Sequence, residues 1–121
     1  MTEKEFWEFM EKAWAKGRVL QVSGSMDSDD SGIKRTGEYL SGHALLPQDY
    51  DKISKKIIAD MANLLFQNEV TNKAKEAILI MLAHQSSKFA LNVLKKYCLK
   101  PDNGLGCFAD IALSECEIWN E

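Results

Sequence analysis

The sequence predicts an all-α fold, and three observations carry the prediction. Apolar residues recur at intervals of three and four over five stretches, the mark of one buried face on a 3.6-residue helix. Helix-start residues stand ahead of four of them: Thr2, Pro47, Thr71 or Asn72, and Ser86 or Ser87. No stretch alternates apolar and polar residues convincingly enough to read as a half-buried strand.

Thr2 followed by Glu5 has the spacing of a capping box, in which a hydroxyl and a carboxylate satisfy the orphan amides of a helix start. The first helix should run to about Lys16 and stop at Gly17. Phe6, Trp7, Phe9, Met10, Ala13 and Trp14 share one face, with Lys4, Glu8, Glu11 and Lys12 largely opposite. Such a face docks a helix onto a bundle, or else offers Trp7 and Trp14 as anchors for a partner, because Trp is enriched at interface hot spots. Residues 18–46 read as a polar loop with room for a short strand or turn around 18–22. Within it, Ser23 to Gly42 holds four of the seven glycines among Ser and Asp clusters.

From Pro47, whose missing N–H costs nothing in a first helical turn, a second helix is expected to about Gln67. Tyr50, Ile53, Ile57, Met61, Leu64 and Leu65 form its stripe. The third helix contains Ala77 to Ala83, apolar all round and therefore central. A fourth carries Phe89, Ala90, Val93, Leu94 and Tyr97 inward and ends by Pro101. A fifth follows Asp102-Asn103-Gly104 with Leu105, Phe108, Ile111, Ala112, Cys116 and Trp119 as its stripe. Connections this short bring neighbouring helices together antiparallel. The expected organisation is one domain over 1–121: an N-terminal helix (1–17), a polar loop (18–46) and a block of helical hairpins (47–121).

Length and composition narrow the class. With 121 residues, 45% hydrophobic and 27% charged, the chain is long enough to build a core without disulfide or metal staples. A net charge of -3, with 9 basic and 11 acidic residues before position 61 and 6 and 7 after it, leaves no basic face for a nucleic acid. The longest apolar run, Ala77 to Ala83, falls far below the ~20 residues of a membrane span. Nor does the N-terminus read as a secretory signal. Cys98, Cys107 and Cys116 are odd in number and lie on helical segments, as expected of buried thiols in a reducing compartment; a cytoplasmic location follows.

Residues 47–84 and 87–120 superimpose as two helix–turn–helix units within the ~30 to 47 residue range of helical repeats. From 77 to 120 the chain reads Ala77-Ile78-Leu79-Ile80-Met81-Leu82, a polar turn, Ala90-Leu91-Asn92-Val93-Leu94, then Lys100-Pro101-Asp102-Asn103 and Ala109-Asp110-Ile111-Ala112-Leu113-Ser114-Glu115. This resembles the HEAT repeat of armadillo-type proteins. The resemblance implies antiparallel hairpins stacked into a short α-α superhelix that binds another protein.

Few constellations point to chemistry. Residues 27–38 place Asp27, Asp29, Ser31, Gly32 and Glu38 at positions 1, 3, 5, 6 and 12 of a calcium loop, the order in which an EF-hand wraps oxygens round Ca²⁺. Lys34 occupies the apolar position 8, and no entering helix or second loop is present. As a surface, the same segment sets Asp27, Asp29, Asp30 and Glu38 toward a basic partner. The cysteines, nine residues apart, lack the close pairs of a zinc site. His84, at the end of an apolar helix, suits the last carbonyls. Glu115 and Glu117 do not share a helix face, and no nucleophile motif or phosphate loop occurs.

These readings lead to a non-enzymatic protein-binding module of HEAT-like type without a cofactor, adaptor- or immunity-like, with Asp27, Asp29, Asp30, Glu38, Trp7 and Trp14 as binding residues. The alternatives are a calcium- or metal-binding protein using Asp27, Asp29, Ser31 and Glu38, and a small hydrolase of unknown type.

Overall fold

A computed structural model describes residues 1–17 and 46–120. They form five α-helices: α1 (Glu3–Ala15), α2 (Lys55–Leu64), α3 (Asn72–Ala83), α4 (Lys88–Leu99) and α5 (Gly106–Trp119). The polar loop and its acidic cluster, Asp27, Asp29, Asp30, Ser31 and Glu38, lie outside the described residues.

The helix starts follow side-chain chemistry. Thr2 and Glu5 close the capping box reciprocally, Glu5 N donating to Thr2 Oγ1 at 3.1 Å and Thr2 N to Glu5 Oε1 at 2.9 Å. Thr71 caps α3 by accepting from Ala74 N, and Ser87 caps α4 by accepting from Ala90 N, which decides both open alternatives. α2 corrects the expectation of a helix beginning at Pro47. A single 3-10 turn spans Tyr50–Lys52, Ile53 is extended (φ -68°, ψ 136°), and Ser54 starts α2 afresh by accepting from Ile57 N at 3.3 Å. A capping serine needs an extended backbone and an amide three residues on, so the cap at Ser54 interrupts an apolar spacing that otherwise runs through it.

α3 is the central helix: Ala74, Lys75 and every residue from Ala77 to Ala83 are buried. α5 packs on α4 and α3, α4 on α3, and α2 on α3 and α4. α3 and α4 thus each touch all three of the other helices of this block. Phe6 and Met10 of α1 join the same core, with Trp7, Phe9 and Trp14 partly buried against it. Glu3 ties α1 to the start of α3, its carboxylate accepting from Thr71 N at 2.8 Å and Thr71 Oγ1 at 2.9 Å. At the other end of α1, Gly17 O accepts from Gln48 N at 2.9 Å. Gly17 has φ +135°, a backbone conformation that L side chains rarely adopt, so the backbone here requires glycine.

One charge is interior. Lys75, 1% exposed, donates to Asp102 Oδ2 at 2.8 Å, and Tyr97 Oη donates to the same oxygen at 2.6 Å while accepting from Asp102 N. An isolated ammonium this deep would be expensive; the carboxylate and phenol make it tolerable. Burial works to raise the Asp102 carboxyl, but hydrogen bonds from Lys75 and Tyr97 and the Lys75 charge outweigh it and hold it below its ordinary value. Burial, then the bond to Asp102, pushes the Tyr97 phenol up. The network fastens the turn between α4 and α5 onto α3, helped by Asn72 Nδ2 donating to Asn103 O at 3.0 Å.

Candidate functional site

Where α3 ends, the chain leaves a cleft of about 850 Å³, within the size range of ligand and side-chain pockets. Its walls come from three places: residues 50–59 before and within α2, residues 84–89 at the turn into α4, and Trp119 at the end of α5. Tyr50, Ile53 and Ile58 supply one apolar wall; Phe89 and Trp119, 48% and 49% exposed, stand at its opening. Lys55, Lys88 and Asp51 are the exposed charged groups that line it.

His84 closes one side of the cleft. Its Nδ1 lies 2.8 Å from Ile80 O, and since a carbonyl only accepts, this nitrogen carries a hydrogen. Nε2 faces Glu115 Oε1 on α5, tying the end of α3 to that helix. Tyr50 meets the imidazole edge-on at 5.6 Å between centroids, and Trp119 tilts over it at 6.3 Å. The capping role expected of His84 is what its Nδ1 performs; the link to Glu115 on another helix is additional. Bonds from side chains to backbone carbonyls set the walls. Gln85 Nε2 donates to Tyr50 O at 2.9 Å, Ser86 Oγ to Trp119 O at 3.2 Å, and Asn120 Nδ2 to Cys116 O at 2.9 Å.

Two helices start at this cleft. Ser54 and Ser87 each satisfy one orphan amide of α2 and α4, while the first two N–H groups of each helix have no intrahelical acceptor by geometry. Neither first turn contains an acidic residue. Lys55 and Lys88 are instead the first residues of their helices, placing positive charge at the positive end of the helix dipole.

Of the residues singled out from sequence, Trp7 and Trp14 pack partly into the core, 6.3 Å apart, with Trp7 Nε1 donating to Glu3, and they do not line the cleft. Among the described residues no group of three or more His, Cys, Asp or Glu is arranged to hold a metal ion. The cysteines are free, and the expectation that all are buried needs correction: Cys116 is buried, while Cys98 and Cys107 are partly exposed. Burial, then the neighbouring Asp110, pushes the Cys98 thiol up to about 11, and burial likewise raises Cys116; both changes disfavour the nucleophilic thiolate.

Phe89 and Trp119 were placed in buried stripes by spacing, yet each is half-exposed. Their positions explain it. Phe89 is the second residue of α4 and Trp119 the last of α5, where a stripe runs past the helices it packs against. No protein family, curated protein or solved structure matches the chain. The likeness to HEAT repeats therefore rests on residues 77–120 themselves.

Proposed function

We propose that the protein is a non-enzymatic, HEAT-like helical module that binds a protein partner in the cleft at the end of α3. The observation that carries this reading is the pair Phe89 and Trp119, two half-exposed aromatic side chains on a mainly apolar cleft whose walls are held by hydrogen bonds from Gln85 and Ser86 side chains to backbone carbonyls. Rigid aromatic anchors beside a pre-formed pocket are the usual basis of interface hot spots. The cleft's polar groups support binding over catalysis: both ring nitrogens of His84 have partners, the Ser86 hydroxyl donates to Trp119 O, and the Ser87 hydroxyl caps α4. Three unpaired cysteines fit a reducing, cytoplasmic setting. No helix among the described residues is long and apolar enough to cross a membrane.

The test is a photo-crosslinking amino acid at position 89, with position 92 on an exposed face of α4 as control, irradiated in cells that naturally make the protein. A discrete adduct at 89, absent at 92 and lost on Trp119→Ala, is expected. Equal adducts at both positions would end the proposal.

A further inference from the structure

Resting on that reading of the cleft, we infer that its partner presents an acidic segment with one bulky apolar side chain, the apolar group seating between Phe89 and Trp119 and flanking carboxylates meeting Lys55 and Lys88. The argument is one of charge. The chain carries a net charge of -3, yet the exposed charges lining this cleft are two lysines against Asp51. The ionisable pair beside it, His84 with Glu115, is turned inward, the ring nitrogen and the carboxylate engaging each other at 8% and 24% exposure.

Two helix starts add to the same sign, while the ends of α3 and α5 at the cleft have carbonyls occupied by His84 Nδ1, Gln85 Nε2 and Asn120 Nδ2. Lysine in a first turn opposes the helix dipole; α1 has Glu3 and Glu5 there and α3 pairs its Lys75 with Asp102, whereas the first turns of α2 and α4 carry lysine with no acidic residue. α1 supplies its own counter-charge; α2 and α4 leave theirs to be supplied. A carboxylate-bearing segment would meet the two ammonium groups and the free amides of both first turns, while its apolar side chain fills the space framed by the aromatics. A basic segment would bring like charges together at the mouth, and a purely apolar one would leave the lysines partly desolvated without a partner.

Selection of a random-peptide phage library on the folded full chain decides the matter, with the double variant Phe89→Ser/Trp119→Ala run in parallel. The expected winners combine Asp or Glu with Phe, Leu, Trp or Tyr, and fail on the double variant. Their affinity should fall about tenfold or more on Lys55→Glu/Lys88→Glu, and should weaken as salt is raised from about 0.05 M to about 0.5 M. Acid in place of lysine suits a helix start, so the charge-reversed chain should melt no lower than the parent, separating lost binding from lost folding. Neutral or basic winners that still require Phe89 and Trp119 would overturn the acidic assignment and leave the binding module standing. Winners that bind the double variant equally well would overturn both.

Discussion

The two ends of α3 handle polar groups in opposite ways. At its start, Glu3 accepts from both groups of Thr71, Asn72 reaches the backbone of Asn103, and Lys75, Asp102 and Tyr97 consume one another's hydrogen-bonding capacity. At its finish, roughly 18 Å away at 1.5 Å per residue, the internal bonds of His84, Gln85 and Ser86 are spent on holding a cleft open between aromatic side chains. At the first end the polar groups bond to one another; at the second they shape the cleft proposed to receive a partner. A small domain has limited stability to distribute, and here it is concentrated away from the surface proposed to bind.

The largest way to break this contrast is Asp102→Asn, which strands the buried Lys75 ammonium. A loss of about 3–5 kcal/mol is expected in urea unfolding, largely restored when Lys75→Met removes the charge as well. If the single variant is no less stable than the parent, the closed end is not held as described. Titration gives a smaller effect of known sign. Asp102 is held below its ordinary carboxyl value in the folded chain, so unfolding takes up a proton there; its contribution is present above about pH 4 and drains away as pH falls through the folded value. Tyr97 is raised, so its contribution is complete below about pH 10 and is lost as pH climbs further. Unfolding midpoints followed against pH should lose part of their acid decline in Asp102→Asn, the remainder coming from Glu3 and Glu5, which are also held low, and part of their alkaline decline in Tyr97→Phe.

Smaller again is Glu3→Ala. Removing the carboxylate shared by Thr71 and Trp7 should cost about 1 kcal/mol and speed amide exchange in α1 more than in α4. Smallest is Phe89→Ser at the open end. A half-exposed side chain should shift stability by no more than about 0.5 kcal/mol while weakening capture of the selected peptides, and a large thermal loss would show that the ring belongs to the core instead.

Most of the fold was legible because local rules and burial agree. The capping box at Thr2 and Glu5, the all-round apolar α3 and the caps at Thr71 and Ser87 are each written within a few neighbouring residues. The start of α2 was misplaced because Tyr50 and Ile53 continue the helical spacing across Ser54, and spacing alone does not register a cap that interrupts it. The cleft was illegible for a different reason. Residues 50–59, 84–89 and 119 are far apart along the chain, and only the packing of α2, α4 and α5 around α3 brings them together. Glu115 was weighed against its neighbour Glu117, whereas its partner His84 lies on another helix. Lys75 did leave a signal, a lysine one turn inside the central helix, and such a residue requires a carboxylate within reach, here the partly buried Asp102.

The contact between Gly17 and Gln48 bears on how freely the sequence between them can vary. The Gly17 carbonyl accepts from the Gln48 amide, with Leu46 buried next to that contact, so the end of α1 is fastened to the approach to α2 by backbone atoms alone. A bond between two backbone groups makes no demand on side-chain identity, and its strength is set by the conformation at Gly17 and Gln48 and not by which residues occupy positions 18–45.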